Sequence, residues 1–596
     1  MNSWQLHSNI KMGCIVAGAG RGSPMRRLLA LCFLVLMTGQ VFGRSGDPDR
    51  TFGLNGIVST DVVSGNTQQT AERADRVLLV PGFCARDVSS SGSVEDACVV
   101  AYTQKGTRLT TFGADGKFAF PSANGLFLST FTSVLLQDDN SAVVGGSCSS
   151  SASVESFCVL RIDRYGVIDI TFGQSGLLVV PVPWTDARIV ELRSLVQLPG
   201  GKFAAVGDCG YSICVARLTA SGTLDRSFGT SGIARMQFYS FGYNGSSAVP
   251  TADGGLIVAS TCASPSNGYE AMCATRLTET GVIDTSFGNA GSLLLQAPGS
   301  AYGSVARALS PLSSDRVLIA GDCYSRYYNP DVGSRYCAVA IDKKGSIDTS
   351  FGTQGWFVQD LSFSPRDIIR YRLSSVAVNS LGVIALVGYC QSTGPQQYNF
   401  CTFSVSPNGQ PNFAFGIAGL VTVGSDSYGG TDLAFGARFL ANSKLLLTGI
   451  VFGGRSLTGN GLLVVLHGQQ SFFDLDNDNV TAADTDGTIF LRYLLGFRKA
   501  PLTAGAVGVY ADRVVAEDIG AYIESPNPVF PNCGKSIVGT ANGPFALLDG
   551  LVLLRAMLGL TGAAVTGGIN FPTGALRTTW SEIKSHLVTN CGMALN

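Results

Sequence analysis

One phrase recurs along most of this 596-residue chain, and it restricts the possible folds more than any other feature. Its pattern is Gly-x-x-Asp-x-(Ser/Thr)-Phe-Gly-x-x-Gly, found first at 46–56 and most completely at 166–176. Successive copies follow one another at a nearly constant interval, with their phenylalanines at Phe52, Phe112, Phe172, Phe228, Phe287, Phe351 and Phe415. Such a sustained period indicates a repeat architecture in which each copy marks one structural unit.

Between the copies, short β-type runs alternate with turns, as at 192–198, 202–207 and 214–218. Adding the run that follows each motif, such as 176–180, gives four strands per unit. Four-stranded units of this size predict the blades of an all-β propeller. The last unit runs from Gly419 to Leu466, and the motif is then replaced by 469–471. We therefore predict a seven-bladed propeller over residues 44–471.

The motif itself favours a structural role. Its glycines permit positive φ in tight turns, its aspartate can accept bonds from nearby backbone amides, and its phenylalanine can fill the seam between blades. The alternative is that seven aspartates line a shared ligand or ion site. That alternative is weakened because the aspartate position is Leu109 in the second copy and Asn412 in the last.

The repeats resemble the Delta-60 repeat family, whose hallmark is the same Asp-x-Ser-Phe-Gly phrase at the same period. The resemblance covers Gly46 to about Ser471. It implies an extracellular or envelope-associated β-repeat architecture. The family carries no agreed chemistry, so the resemblance assigns no role to particular residues.

The cysteines follow the same period. Of sixteen, Cys14 and Cys32 lie in the N-terminal extension, which leaves an even fourteen, as suits an oxidising compartment. Six pairs each link the end of one predicted strand to the start of the next, at facing positions whose short loops would give about 2–3 kcal/mol of stabilisation each. Zinc binding is the competing interpretation, but histidine is scarce and no zinc-type Cys-x-x-Cys pair occurs. The six predicted disulfides are Cys84–Cys98, Cys148–Cys158, Cys209–Cys214, Cys262–Cys273, Cys323–Cys337 and Cys390–Cys401. The seventh unit has Val451 at the first cysteine position, where we expect an apolar contact instead.

Residues 1–43 read as an N-terminal extension and secretory signal. Met25-Arg26-Arg27 precedes an apolar run at 28–37, and 41–43 ends in small residues. Translation from Met25 rather than Met1 and retention of the run as a membrane anchor both stay open. No later segment reaches the ~18 consecutive apolar residues of a membrane span. We predict a secreted or cell-surface protein, with the periplasm as a further possibility.

The chain changes character at 472–596, where we predict a small α-helical domain. Asp474, Asp476 and Asp478 occupy alternate positions of a loop, and a helical stretch follows at 489–496. Calcium needs six to eight oxygen ligands, and alternate residues of such a loop point the same way. Asp484 or Asp486 could complete the set. The alternative is an acidic, solvated loop without a fixed ion.

This segment resembles a dockerin type I module, a relative of the EF-hand, from Asp474 to the C-terminus. The resemblance implies a calcium cofactor and a cohesin-like partner. Asn479 stands where such loops carry glycine. A second copy lies further along the chain, where 548–559 echoes 485–496, but its loop has lost the carboxylates, so we predict one calcium ion. Cys533 and Cys591 are predicted to bridge within the domain.

The remaining features concern function. A net charge of −1 without a basic run after the N-terminus excludes nucleic acid as a partner. The three histidines lie near no plausible nucleophile, and no catalytic motif is present. We predict a non-catalytic binding or adhesion protein, with a calcium-stabilised structural surface protein and a secreted polysaccharide hydrolase as alternatives.

The predicted ligand residues are tyrosines in two neighbouring stapled loops, Tyr327, Tyr328 and Tyr398, beside arginine and amide side chains. Such loops offer flat apolar faces with polar rims, which suits a polysaccharide or a surface protein. The alternative is that these tyrosines pack on the edge of their own blade.

Overall fold

The computed structural model of the protein is mostly β, with helices confined to the C-terminal part. No helix in the described residues is long and apolar enough to cross a bilayer. The structure describes residues 45–595 except 61, 64–68, 86–94, 121–125, 151–154, 182–189, 211, 238–246, 265–267, 301, 314, 325–333, 360–367, 393–397, 414, 425–430, 453–459, 469–470, 509–510, 512, 526–529, 531, 541–542 and 594.

The strands are short, and many alternate buried and partly exposed residues, as a half-buried sheet requires. In chain order they are β1 (Ile57–Thr60), β2 (Val62–Val63), β3 (Ala71–Glu72), β4 (Leu78–Ala85), β5 (Glu95–Tyr102), β6 (Lys117–Ala119), β7 (Leu126–Leu136), β8 (Ala142–Ser150), β9 (Glu155–Ile162), β10 (Leu177–Pro181), β11 (Val190–Gln197), β12 (Phe203–Cys209), β13 (Ser212–Leu218), β14 (Ile233–Met236), β15 (Ser247–Pro250), β16 (Leu256–Ala263), β17 (Glu270–Leu277), β18 (Ser292–Leu295), β19 (Ser304–Pro311), β20 (Arg316–Tyr324), β21 (Ser334–Asp342), β22 (Trp356–Val358), β23 (Ile368–Val378), β24 (Ile384–Ser392), β25 (Tyr398–Val405), β26 (Leu420–Val423), β27 (Thr431–Phe439), β28 (Leu445–Phe452) and β29 (Asn460–Leu466).

These strands form antiparallel sheets whose strand order follows the chain. Sheet 1 comprises β2 to β6, with β2 and β3 sharing one edge of β4, and sheets 2, 3, 4 and 5 comprise β7–β10, β11–β14, β15–β18 and β19–β22. Sheet 6 comprises β23–β26, and sheet 7 comprises β27–β29 together with β1. One parallel bridge between Tyr398 and Thr431 joins sheets 6 and 7. The expectation of four-stranded β units is therefore confirmed.

The composition of sheet 7 differs from the sequence prediction. The run after the last motif, β26, pairs with β25 and so completes sheet 6 instead of opening the seventh unit. The fourth strand of sheet 7 is β1 from the N-terminal end, which pairs with β29 from Ile57 opposite Val464 to Thr60 opposite Gly461. The outer strand of each sheet thus follows a motif, and the first motif serves the last sheet.

Adjacent sheets are joined by apolar clusters, and each cluster contains one motif phenylalanine. Phe112, for example, is buried between sheets 1 and 2, with Val99 on one side and Leu128 on the other. Phe52 is buried between sheets 1 and 7, beside Leu78 and Leu463. The remaining motif phenylalanines fill the other seams in the same way: Phe172, Phe228, Phe287, Phe351 and Phe415.

A chain of backbone hydrogen bonds connects the motifs to one another. In each copy the N–H of the glycine after the phenylalanine donates to the carbonyl that precedes the next copy, at 2.7 or 2.8 Å. The last copy donates to the first. The seven bonds are Gly53 to Lys105, Gly113 to Tyr165, Gly173 to Ser221, Gly229 to Thr280, Gly288 to Lys344, Gly352 to Asn408 and Gly416 to Ser45.

The motif aspartates hold their own turns. Asp169 accepts hydrogen bonds from the N–H and the hydroxyl of Thr171, at 2.9 and 2.6 Å, and from the guanidinium of Arg161. The same side chain to turn arrangement recurs at Asp49, Asp225, Asp284 and Asp348. Each of these aspartates also has a lysine or arginine partner. These contacts agree with a structural role for the motif.

All six predicted cysteine pairs of the sheets are disulfides. The sequence predicted that paired cysteines occupy directly facing positions, but in the structure they do not. Cys209 lies opposite Ser212 and Cys214 opposite Gly207, so the bond runs diagonally between Cα atoms 5.8 Å apart. In sheet 7, Val451 is half-buried against the apolar cluster between sheets 6 and 7.

The glycine opposite the second cysteine has a packing role. The first strand of sheet 5 bulges at Arg307, between Ala306 and Ala308, and a Cβ on Gly321 would lie 1.7 Å from the Val305 carbonyl oxygen. Bulges opposite a glycine also occur in sheets 2, 3, 6 and 7.

The residue after that glycine often reaches the next sheet. Asp322 accepts a hydrogen bond from the N–H of Leu373 at 2.7 Å, and Ser147 accepts one from Leu192 at 3.0 Å. The preceding sheet thereby satisfies an amide next to the bulge.

The helical part contains two copies of one unit. Wide π-helical turns at Ala483–Gly487 and Ala546–Gly550 lead into the first helix of each copy. The helices are α1 (Thr488–Leu494), α2 (Ala500–Thr503) and α3 (Ala516–Glu524), then α4 (Leu551–Met557), α5 (Ala563–Thr566) and α6 (Trp580–Thr589). The guanidinium of Arg492 caps carbonyls at the end of α2, and Arg555 does the same at α5.

The two copies cross where each has a glycine. A Cβ on Gly487 would lie 2.9 Å from a Leu554 methyl on α4, and a Cβ on Gly550 would lie 2.9 Å from a Leu491 methyl on α1. Their shared core includes Phe490 and Leu553. Cys533 and Cys591 form the predicted disulfide, with Cα atoms 4.8 Å apart.

Candidate functional site

The acidic loop before α1 brings three carboxylates together. Asp474, Asp476 and Asp478 are buried, and one oxygen of each lies within 4.8 Å of the others. They converge because Asn477 and Asn479 adopt positive φ, 60° and 72°, which turns the loop back on itself. The alternating positions identified in the sequence therefore share one small volume.

Backbone amides hold these carboxylates in place. Asp474 accepts from the N–H groups of Asp478 and Asn479, both at 3.1 Å. Asp476 accepts from the N–H of Gly508 at 2.6 Å, which ties the loop to the segment after α2. A Cβ on Gly508 would lie 2.3 Å from an Asp478 oxygen, so any other residue here would displace that carboxylate.

The structure distinguishes the two further candidate ligands. Asp484 is exposed, whereas Asp486 is buried and accepts from the N–H groups of Leu475 and Ala482, at 2.6 and 2.9 Å. In the second copy Asp549 accepts from Val538 and Phe545 in the same way, at 3.0 and 2.8 Å. Because the second loop keeps this aspartate without the other carboxylates, Asp486 has a loop-closing role independent of any ion.

The electrostatics of the loop favour a bound cation. Burial, with the charges of Asp486, Asp478 and Asp476, raises the pKa of Asp474 well above its usual range. Burial likewise raises the pKa of Asp476, and burial with the charge of Asp476 raises the pKa of Asp486 to about 8. A divalent cation would remove this cost. Arg513 donates to the backbone carbonyls of Asp474 and Leu475, and its charge lowers the pKa of Asp474 without outweighing the burial of that carboxylate.

The donor set fits calcium. It consists of carboxylate oxygens on a turning loop, which is what a hard cation takes, and the cluster contains no nitrogen or sulfur ligand. In the second loop the matching positions include Ile537 and Gly539. That loop offers no such set among its described residues.

A second group, Cys533, His586 and Cys591, also lies close together. Its two sulfurs form the disulfide, and the His586 ring nitrogen lies 3.7 Å from the Cys591 sulfur. Oxidised cysteines do not ligate zinc as thiolates, so this group is structural.

The structure describes one of the three predicted ligand tyrosines, Tyr398. Tyr327 and Tyr328 lie outside the described residues. Tyr398 begins β25, is half-buried, and meets the Tyr389 ring edge-on with centroids 5.6 Å apart.

A cavity of about 160 Å³ lies where the first strands of all seven sheets meet. Its lining is mostly small and polar, and includes Gln69, Ser194, Ser247, Ser375 and Arg438.

Two residues of the acidic site escaped the sequence reasoning. Gly508 and Arg513 lie well outside the loop in sequence, and their hydrogen bonds to Asp476 and Asp474 span 32 and 39 positions of the chain. One sequence signal was present for Arg513. Arg577 is its counterpart in the second copy and donates to the carbonyls of Ser536 and Ile537 in the second loop, as Arg513 does in the first.

Comparisons with known proteins agree with the β fold. Residues 200–228 match a family described as "Domain of unknown function (DUF5122) beta-propeller", which supports a β-propeller repeat family for this chain. A search of the curated proteins finds no match.

Among solved structures, similar chains include the β-propeller domain of the Trilobed protease from Pyrococcus furiosus, at 8% identity and a TM-score of 0.35, covering 68% of this chain and 94% of that one. Drosophila Plexin A in complex with Semaphorin 1b is similar at 11% identity and a TM-score of 0.36, covering 71% and 88%. A protein from Lactobacillus plantarum is similar at 12% identity and a TM-score of 0.31, covering 61% and 85%. Likenesses at this level carry no information about function.

Proposed function

We propose that this chain is an exported, non-catalytic binding protein, built as a seven-bladed β-propeller with a calcium-binding, dockerin-like module. The observation that carries the binding role is the position of the disulfides. In each of sheets 1 to 6 the disulfide joins the end of the second strand to the start of the third, so all six lie toward the same face of the ring. We call this the stapled face.

A stapled face suits recognition. Disulfides that fix the roots of neighbouring hairpins reduce the entropy lost when those hairpins bind a partner. The opposite face carries the motif turns, whose aspartates and amides are already committed to each other and to the next copy. The stapled face is therefore the one we assign to binding, with a polysaccharide or a surface protein as the partner.

The seven-blade count is supported by the cyclic bonds between motifs. Seven motif copies, seven seams with one phenylalanine each, and a final bond from Gly416 back to Ser45 describe a closed ring. β1, from the N-terminal end of the repeat region, completes sheet 7 at its C-terminal end. Backbone hydrogen bonds between β1 and β29 therefore hold the two ends of the repeat region together.

Calcium has a stabilising role in this proposal. Asp474, Asp476 and Asp478 are the ligands, with Asp486 closing the loop, and the bound ion offsets their mutual repulsion. Seven disulfides are compatible with an extracellular location.

The test is a polysaccharide and surface-protein binding screen of the purified full chain, with calcium present. We expect saturable binding without release of reducing sugar. A triple variant, Tyr327→Ala, Tyr328→Ala and Tyr398→Ala, should lose that binding while it keeps the wild-type melting temperature. Tyr165→Ala is the matched control, because Tyr165 is 57% exposed in a motif turn on the opposite face. Turnover of a bound polysaccharide would refute the non-catalytic assignment.

A further inference from the structure

The stapled end of sheet 6 lacks an ion pair that is present at the same place in sheets 3 and 5. In sheets 3 and 5 the residue before the first cysteine is an aspartate, Asp208 or Asp322, and it pairs with the bulge arginine, Arg193 or Arg307, at 2.9 or 3.0 Å. These arginines therefore have their charge satisfied.

In sheet 6 the same two positions hold Tyr389 and Ser374, so both members of the ion pair are gone. An arginine is nevertheless present. Arg372 lies directly across from Tyr389 in the β23–β24 register. Within the described part of the chain it makes no hydrogen bond or ion pair with a carboxylate, although it is half-buried.

The register places two tyrosines on the same side of the sheet as Arg372. Tyr389 and Tyr398 are both half-buried, and their rings meet at 80° with centroids 5.6 Å apart. Phe400, the next residue on that face after Tyr398, is fully buried in the apolar cluster between sheets 6 and 7. Two half-buried tyrosines thus share one side of the sheet with a guanidinium that has no acidic partner among the described residues.

Two charged groups near Tyr389, Arg372 and Asp322, act on its phenol. Burial raises the pKa of Tyr389 while the charge of Arg372 opposes that rise, which places the guanidinium within electrostatic reach of the phenol. Asp322 also acts on Tyr389, but its oxygens are engaged by Arg307 and by the Leu373 N–H. A carboxylate supplied from outside would therefore meet a cation that has no acidic partner among the described residues.

We propose that Arg372, Tyr389 and Tyr398 bind an acidic saccharide, that is, a sugar ring carrying a carboxylate. The planar guanidinium accepts a carboxylate through two parallel hydrogen bonds, and the tyrosine rings contact the apolar face of the sugar. This inference rests on the proposed binding function and narrows it to one ligand class and one position on the stapled face.

The experiment uses the full chain with calcium and two probes of equal length, trigalacturonate and the neutral trisaccharide maltotriose, in calorimetric titrations. The wild type should bind trigalacturonate more tightly than maltotriose, with affinity that falls as salt is raised. Arg372→Gln should weaken trigalacturonate binding by about tenfold or more, because a charged hydrogen-bonding partner is lost. Arg372→Lys should retain part of the affinity, since it keeps the charge without the planar fork.

Arg316→Gln is the matched control, because Arg316 is paired with Asp348 at the opposite end of sheet 5. Equal trigalacturonate affinity in the Arg372→Gln and Arg316→Gln variants would overturn the inference. If the screen finds a ligand but trigalacturonate does not bind, the binding function stands and this site assignment falls. If the chain hydrolyses a polysaccharide and binds none without turnover, the proposed function falls first.

Discussion

Replacing Lys444 by methionine tests how the first motif is joined to the last sheet. The Lys444 ammonium, just before β28, lies 3.2 Å from the carboxylate of Asp49 in the first motif, 395 positions away in the chain. Both side chains are nearly inaccessible, at 3% and 4% exposure. Methionine keeps the unbranched shape and most of the length of the side chain and removes its charge, so the Asp49 carboxylate is left buried against an apolar group.

The structure sets the size of the expected loss. Removing one partner of a buried ion pair costs about 3–5 kcal/mol, because the remaining charge is uncompensated. Asp49 still accepts hydrogen bonds from the N–H and hydroxyl of Thr51, at 3.0 and 2.7 Å. We therefore expect a loss of about 3 kcal/mol in the stability of the seam, at the low end of that range.

The chain contains its own control. Arg316 and Asp348 occupy the corresponding positions in sheet 5, with atoms 3.1 Å apart, but their side chains are 30% and 19% exposed. Pairs near the surface contribute about 0.2–1 kcal/mol. Arg316→Met should therefore cost much less than Lys444→Met, although the geometry of the two pairs is the same.

The assay is native-state hydrogen exchange of the peptide spanning residues 45–60, which contains the Gly46 and Asp49 amides that bond to the last sheet. A loss of about 3 kcal/mol corresponds to roughly 100-fold faster exchange through opening of the seam. Asp49→Asn combined with Lys444→Met should recover part of the protection. For each variant, the increase in exchange rate over the wild type is measured in the sheet that carries the substitution. An increase in Lys444→Met no larger than the increase in Arg316→Met would refute the reasoning.

Three further outcomes follow from the structure. Peptide mapping without reduction should find each sheet cysteine bonded within its own sheet, and a bond such as Cys209 to Cys262 would contradict the sheet assignment. Chelation of calcium should lower the melting temperature of the helical part, an effect that Asp476→Ala should abolish and Asp484→Ala should leave intact. Burial lowers the pKa of His467 to about 4. Between about pH 6.5 and pH 4 the His467 side chain is therefore protonated in the unfolded chain but neutral in the folded chain. Stability should therefore fall by up to about 3 kcal/mol on acidification across that window, and His467→Gln should flatten the dependence in urea titrations at each pH.

Much of the β architecture was readable from the sequence because the motif combines turn formers with one large apolar residue at a fixed period. The period does not define where a unit begins, however. The run at 420–423 looked like the start of a seventh unit, yet it pairs with β25, and β1 completes sheet 7. The sheet that a short strand joins depends on contacts between distant parts of the chain. The local sequence around the strand does not determine those contacts.

The acidic site could also be predicted from the sequence in part. Alternating aspartates at 474, 476 and 478 converge because they belong to one loop, and local spacing is enough to show it. The choice between Asp484 and Asp486 could not be predicted, since it depends on which carboxylate meets the amides of Leu475 and Ala482. The close approach of Gly508 arises from the packing of α2 and could not be read from composition or spacing.

The bond from Gly416 to the carbonyl of Ser45 has a consequence for the order of folding. Six of the seven links between motifs join neighbouring units and can form as the chain emerges, whereas the seventh joins the first motif to the last. Contacts between distant residues form late, because the entropy of closing the intervening loop must be lost before they are made. The first motif can bond to the second motif through Gly53 and Lys105, but β1 and the Ser45 carbonyl remain without their partners until the last motif and the last sheet have been synthesised. Nascent chains arrested before residue 416 would contain stacked sheets but an open seam, with the apolar face of sheet 1 around Phe52 uncovered and β1 unpaired.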